Sequence, residues 1–159
     1  MDLLETKGRI AEALVESIFR RARYDVAHYK TDQALLRFGR EDFSPAFRVS
    51  QRVDGEDRSY LIAVKYRASA EQFISVENQR GDRSIFQMMR RHWPTLCFVL
   101  VTERPEAGRS CFQAVPFETL RPGESCTIDL IQVKDFELFP HNLEDHEELT
   151  RRIFGSLNA

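Results

Sequence analysis

Apolar positions along the chain follow two rhythms. From residue 3 to residue 23, Leu3, Ile10, Leu14, Val15, Ile18 and Phe19 recur at spacings of three and four, which predicts one amphipathic helix. The period then shortens to two. Residues 24–30 (YDVAHYK) and 46–53 (AFRVSQRV) alternate apolar and polar, as half-buried strands do. Asp54-Gly55 is a hairpin turn signal, so 59–67 (SYLIAVKYR) reads as the returning strand. Residues 31–45 are irregular and read mostly as loop, and 69–83 are polar and ambiguous.

Helical spacing returns over 84–93 (SIFQMMRRHW), with Ser84 placed to cap the helix and Pro94 just past its end. Residues 96–103 (LCFVLVTE) form a continuous apolar run with β-branched members, the pattern of a central strand buried on both faces. Residues 111–117 and 125–133 predict further strands, and Asn142 is expected to cap a last helix running to about Leu157. The order is helix, three strands, helix, strand, then two strands and a helix. That is one α/β domain over 1–159, a central mixed sheet flanked by helices, with no internal repeat or linker.

Composition agrees with one domain: 159 residues suit a single core, and 42% hydrophobic with 30% charged content is ordinary for a globular chain. No apolar run approaches the ~20 residues of a membrane span. The acidic, helical N-terminus lacks the regions of a signal peptide, so a cytoplasmic protein is expected. Cys97, Cys111 and Cys126 form no C-x-x-C pair and fit reduced, buried thiols. A net charge of −2 gives no global basic field, but arginines cluster at 20, 21 and 23, at 37 and 40, and at 80, 83, 90 and 91. Each cluster alone is a solvated face; several on one side would make phosphate contact. His141 and His146, five apart, do not share a helical face and read as surface residues. Trp93, beside His92, reads as closing its helix against the core rather than stacking on a base.

The pieces with chemical content are KGRIAE with Glu12 on the first helix, SPAFRV opening one strand, LIAVKYR ending the next, and Gln87 on the following helix. In this order they resemble the core of the PD-(D/E)XK nuclease superfamily, the group of restriction endonucleases and Holliday-junction resolvases. The resemblance covers roughly residues 7–103, with 110–159 as a C-terminal extension. It implies a restriction-endonuclease-like fold and Mg²⁺- or Mn²⁺-dependent hydrolysis of DNA. In the family the second strand opens with Pro-Asp and the third carries (Asp/Glu)-x-Lys. Here Pro45 is followed by Ala46, and Ala63 stands two positions before Lys65, so both acids are missing.

The missing acids matter because Mg²⁺ takes oxygen ligands, usually one or two carboxylates plus water and phosphate. Residues two apart on a strand share a face, so Ala63 and Lys65 point the same way and a lysine there would stabilise charge on a phosphate. The resemblance implies Lys65, Glu12, Glu16 and Gln87 as site residues, with the metal positions at Ala46 and Ala63 lacking their ligands. Candidate nucleic-acid contacts are Arg67, Arg80, Arg83, Arg90 and Arg91. Each residue also has an ordinary role: Lys65 as a solvated strand-end charge, Pro45 as punctuation, Glu12 and Glu16 as the wet face of a helix. Asp42 and Asp54 flank the second strand at the wrong offset, and moving the third-strand acid to Glu71 or Glu77 would repair only one loss. Two alanines fit deliberate inactivation of a nuclease. The alternative is a natural pseudonuclease that binds nucleic acid or protein. A partner is expected in either case: DNA, and a second copy of the chain in a homodimer or another protein.

Overall fold

The apolar stripe of the first helix sets the architecture. In the computed structural model, which describes residues 2–29, 37–38 and 41–159, helix α1 spans Leu3–Arg21. Asp2 caps it, accepting a hydrogen bond from the Glu5 amide at 2.7 Å. Ala11, Leu14, Val15, Ile18 and Phe19 are all buried. The helix stops two residues before its expected end because Arg23 turns left-handed, with φ 69°. The Arg23 and Tyr24 amides then donate to the Arg20 and Phe19 carbonyls, satisfying the last turn. No glycine or asparagine marks this stop.

Strand β1 (Asp25–His28) pairs antiparallel with β4 (Phe47–Val53), and β4 with β5 (Glu56–Tyr66). Asp54 and Gly55 both have positive φ, 51° and 82°, the two-residue turn that matches strand twist. Between β1 and β4, β2 (Arg37–Phe38) and β3 (Glu41–Asp42) form a small antiparallel pair, so the loop expected over 31–45 is in part paired strand. Residues 31–36, 39 and Arg40 of that expectation lie outside the described residues.

The crossover after β5 contains two helices. Helix α2 (Ala70–Gln79), capped by Ser69, was hidden by its polar sequence: only Ala70 and Glu77 are buried. A 3-10 turn over Gly81–Arg83 leads to α3 (Ile85–His92), where the Ser84 hydroxyl accepts from the Gln87 amide at 3.3 Å, the expected cap. Strand β6 (Leu96–Val101) runs parallel to β5, and β7 (Phe112–Val115) and β8 (Ile128–Asp129) follow antiparallel. The long strand expected over 125–133 is therefore corrected to two residues. Beyond Asp129 the chain enters a 3-10 turn, with Gln132 Oε1 accepting from the Asp129 amide at 2.9 Å. Helix α4 spans Pro140–Asn158 with Pro140 in its first turn. Asn142 is not its cap: it is buried, and its Nδ2 donates to the Ile18 carbonyl at 3.0 Å, tying α4 to α1.

The sheet has six strands in the order β1-β4-β5-β6-β7-β8 and is mixed. Its two faces carry separate apolar layers. Ile62, Val64 and Tyr66 face α1 and α4 together with Phe47, Val99 and Phe154. Leu61 and Ala63 face the other way with Phe43, Ile85, Phe86, Met89 and Phe98. Burial on both faces explains why this half of β5 and all of β6 read as unbroken apolar runs. Among the described residues no helix is long and apolar enough to cross a membrane.

Candidate functional site

The geometry around positions 46 and 63 follows from where β4 enters the sheet. The ladder pairs Phe47 with Ile62, and one step further would set Ala46 opposite Ala63. Instead the Ala46 amide donates to the Ile62 carbonyl at 2.7 Å, so the chain leaves the ladder at this residue. Ala46, one residue before β4, and Ala63 on β5 are thus close in the chain path but pack in opposite layers of the sheet. Ala46 is half-buried against the layer beneath α1. Ala63 is 0% exposed in the opposite layer and lies beside Phe98, its register partner on β6. Neither side chain carries an oxygen, so the residues present at these positions do not fit Mg²⁺ or Mn²⁺.

Lys65 is half-buried on the same face as Ala63. Its ammonium donates to the Asp42 carbonyl and stands 5.1 Å from the Phe43 ring centre, so it is not the freely solvated charge of the ordinary reading. Asp42, set aside for its offset, is brought here by the β2–β3 pair; its carboxylate accepts from the Ser44 amide at 2.8 Å. Glu12 approaches from α1. Glu12 is exposed as a residue, yet partial desolvation of its carboxyl lifts it above the ordinary value, while Lys65, His28 and Arg9 pull it back and Asp42 pushes it up again. Glu16 is occupied differently, with Arg20 Nε at 2.8 Å and His28 Nε2 at 3.4 Å. Glu12, Asp42 and Lys65 therefore interact near one end of β5, and Asp42 is the member that sequence reasoning missed. Only a strand-pair signal between β1 and β4 would have found it. Among the described residues no three or more His, Cys, Asp or Glu side chains converge as a metal set.

Glu12 gives a pH-dependent test. Its folded value lies above the unfolded one, so its ionised form costs stability. The cost is fully present above the folded value and vanishes as pH falls below the unfolded value. Glu12→Gln is expected to melt higher than the parent at neutral pH, with the difference closing on acidification. Thermal melts across the acid range measure this; a lower-melting variant at neutral pH would contradict it.

Other expected site residues are dispersed. Gln87 is buried in α3, and its Nε2 has no hydrogen-bond partner among the described residues. Glu77 is no displaced metal ligand: Oε1 accepts from the Ile85 amide at 2.8 Å, capping α3, and Oε2 lies 3.3 Å from Arg80. Glu71 is exposed in the first turn of α2. Arg67 and Arg80 line one cleft. Arg90 reaches away to the Leu120 carbonyl at 3.1 Å, and Arg83 and Arg91 are exposed outside that cleft.

His141 is exposed, but the surface reading of His146 is corrected. It is buried between α4 and α1, its Nδ1 2.7 Å from the Asn142 carbonyl and its Nε2 2.8 Å from the Ser17 hydroxyl. Trp93 packs against the core layer under α3, and its Nε1 donates to the Tyr29 hydroxyl at 3.3 Å. Burial pushes the Cys97 thiol up to about 12 and the Cys111 thiol up to about 11, whereas Cys126 is exposed rather than buried as expected.

A polar cluster, partly buried and open to solvent at Asn158, joins the start of α1 to the ends of β5 and α4. Lys7 Nζ donates to Glu103 Oε1 at 2.7 Å and to Asn158 Oδ1 at 2.6 Å. The Tyr66 hydroxyl also donates to Glu103 Oε1, and Asn158 Nδ2 donates to Oε2 at 2.7 Å. Burial alone would lift the Glu103 carboxyl, but hydrogen bonds from Lys7, Tyr66 and Asn158 outweigh it and hold it below the ordinary value. Comparison with known proteins finds no matching family model, no similar curated protein and no similar solved structure.

Proposed function

We propose that this chain is a nuclease-type scaffold of the PD-(D/E)XK kind that engages DNA in the cytoplasm but, with alanine at 46 and 63, does not hydrolyse it. The observation that carries the reading is the path of the chain: α1 against β5, an antiparallel β1–β4–β5 meander, a helical crossover, and β6 parallel to β5. Ala63 and Lys65 lie on β5 and Ala46 lies just before β4, an order that supports matching them to the two acids and the lysine of the family. Hydrolysis of a phosphodiester needs a metal to polarise the phosphate and activate water, and two methyl groups hold no metal. Lys65 and Glu12 remain as the charged groups of that site.

A second reading has its own support. Ala63 is sealed among apolar side chains beside Phe98, which is where a native alanine makes room for an aromatic ring. On that reading the chain is a natural module that binds nucleic acid or protein and never cut.

A side-by-side cleavage assay separates the two. The chain as it stands and an Ala46→Asp, Ala63→Glu variant are incubated with supercoiled, linear, single-stranded and branched DNA, with Mg²⁺ or Mn²⁺ and with EDTA. The expected result is cutting by the acidic variant alone and only with metal. A folded acidic variant that cuts nothing would overturn the nuclease ancestry and leave the binding module.

A further inference from the structure

The seam between α1 and α4 joins an exposed hydroxyl to a buried imidazole. Ser17 is exposed on α1, and His146 is buried on α4. His146 Nδ1 lies 2.7 Å from the Asn142 carbonyl, and Nε2 lies 2.8 Å from the Ser17 hydroxyl. A carbonyl only accepts, so Nδ1 carries the proton. In the neutral ring Nε2 is then an acceptor, and the Ser17 hydroxyl donates to it. The backbone beside the ring is fixed as well, since the Thr150 hydroxyl donates to the His146 carbonyl at 2.6 Å. Arg21, one turn along α1 from Ser17, pairs with Asp145 at 2.6 Å. Ala13, one turn the other way, is exposed, and so is Leu149, three residues beyond His146 on α4. Charge therefore lies along the seam on one side of the hydroxyl and apolar surface on the other.

A hydroxyl bonded to a histidine whose other nitrogen is held by a third group is an arrangement of nucleophile, base and orienter. We propose that Ser17 is a nucleophile, with His146 as its base, that takes an acyl group from an activated ester of a small apolar acid. Ser17 Oγ bonds to the acyl carbon, and the bond from that carbon to the leaving oxygen breaks. The hydroxyl proton passes to His146 Nε2 and from there to the departing oxygen. The product is an ester on Ser17 and a free alcohol or phenol. The inference stands apart from the nuclease reading, which uses neither residue.

Acylation by p-nitrophenyl butyrate at neutral pH, mapped by peptide mass spectrometry, tests it. Ser156, exposed near the end of α4 and far along it from His146, is the internal control. In the parent protein Ser17 is expected to acquire the butyryl group at least ~100-fold faster than Ser156, the low end of what a positioned base contributes. The preference is expected to vanish in concentrated urea and in His146→Gln, with circular dichroism establishing that this variant is folded. Equal rates at Ser17 and Ser156 in the folded parent would overturn the proposal and leave a hydrogen bond that only pins α1 to α4. A preference that survives in folded His146→Gln would overturn His146 as the base. Both serines are compared within the parent, so a His146→Gln variant that fails to fold leaves that comparison decisive.

Discussion

Ala63→Glu is expected to destabilise the metal-free protein by on the order of 4 kcal/mol. Position 63 is 0% exposed and surrounded by Leu61, Phe86, Phe98 and Leu100 in the layer beneath α3. A glutamate there must displace packed side chains and lose its water, and the ammonium of Lys65, two residues along, is already engaged by the Asp42 carbonyl. In a domain of this size that corresponds to a melting temperature lower by roughly 10 °C. The cost depends on pH. Burial raises the folded value of the new carboxyl, so the penalty is greatest above that value and shrinks as pH falls toward the unfolded one. Thermal melts of parent and variant in EDTA at several pH values measure it. Equal melting temperatures would mean that position 63 opens to water and that the buried description of this strand is wrong.

Lys7→Met is the second large effect, expected at about 3–5 kcal/mol, the cost of leaving one partner of a buried ion pair alone. Lys7 and Glu103 side chains are 9% and 8% exposed, so water does not replace the lost partner. Tyr66 and Asn158 remain, but neither neutralises the carboxylate. A Lys7→Met, Glu103→Leu double variant is expected to recover most of the loss, giving a large coupling in a double-mutant cycle by denaturant unfolding. The pH dependence runs opposite to that at position 63. The folded value of Glu103 lies below the unfolded one, so its stabilisation is complete above the unfolded value and is lost as pH falls through the folded value. Lys7→Met should flatten that acid limb. Additive single and double variants would show that the cluster is incidental to stability.

Legibility in the sequence followed the size of the apolar signal. Helix α1, strand β6 and the β4–β5 hairpin were plain, because each buries a continuous stripe or turns on Asp-Gly. Helix α2 was missed because its apolar face is short: Ala70, Phe73 and Ile74 pack inward, but Glu77 takes the next inward position. The end of the 125–133 run was misread because its apolar residues continue past the strand into 3-10 turns held by Asp129 and Gln132. For the site, the spacing of Ala63 and Lys65 put them on one face, as strand geometry requires. The departure of Ala46 from the ladder and the approach of Asp42 are tertiary events with no local signature. His146, Lys7 and Glu103 were likewise unreadable, since a buried polar residue is recognised only by its partners across the fold.

On the proposed function, acids restored at 46 and 63 would hold one metal between them, although the alanines present pack in opposite layers. The direct measurement is the melting temperature of four proteins, the parent, Ala46→Asp, Ala63→Glu and the double variant, each with and without Mg²⁺. A ligand that binds only the folded state raises its stability in proportion to the logarithm of ligand concentration. Mg²⁺ is expected to raise the melting temperature of the double variant and leave the parent unmoved, with either single variant shifting far less. A double variant that folds and is indifferent to Mg²⁺ would contradict it.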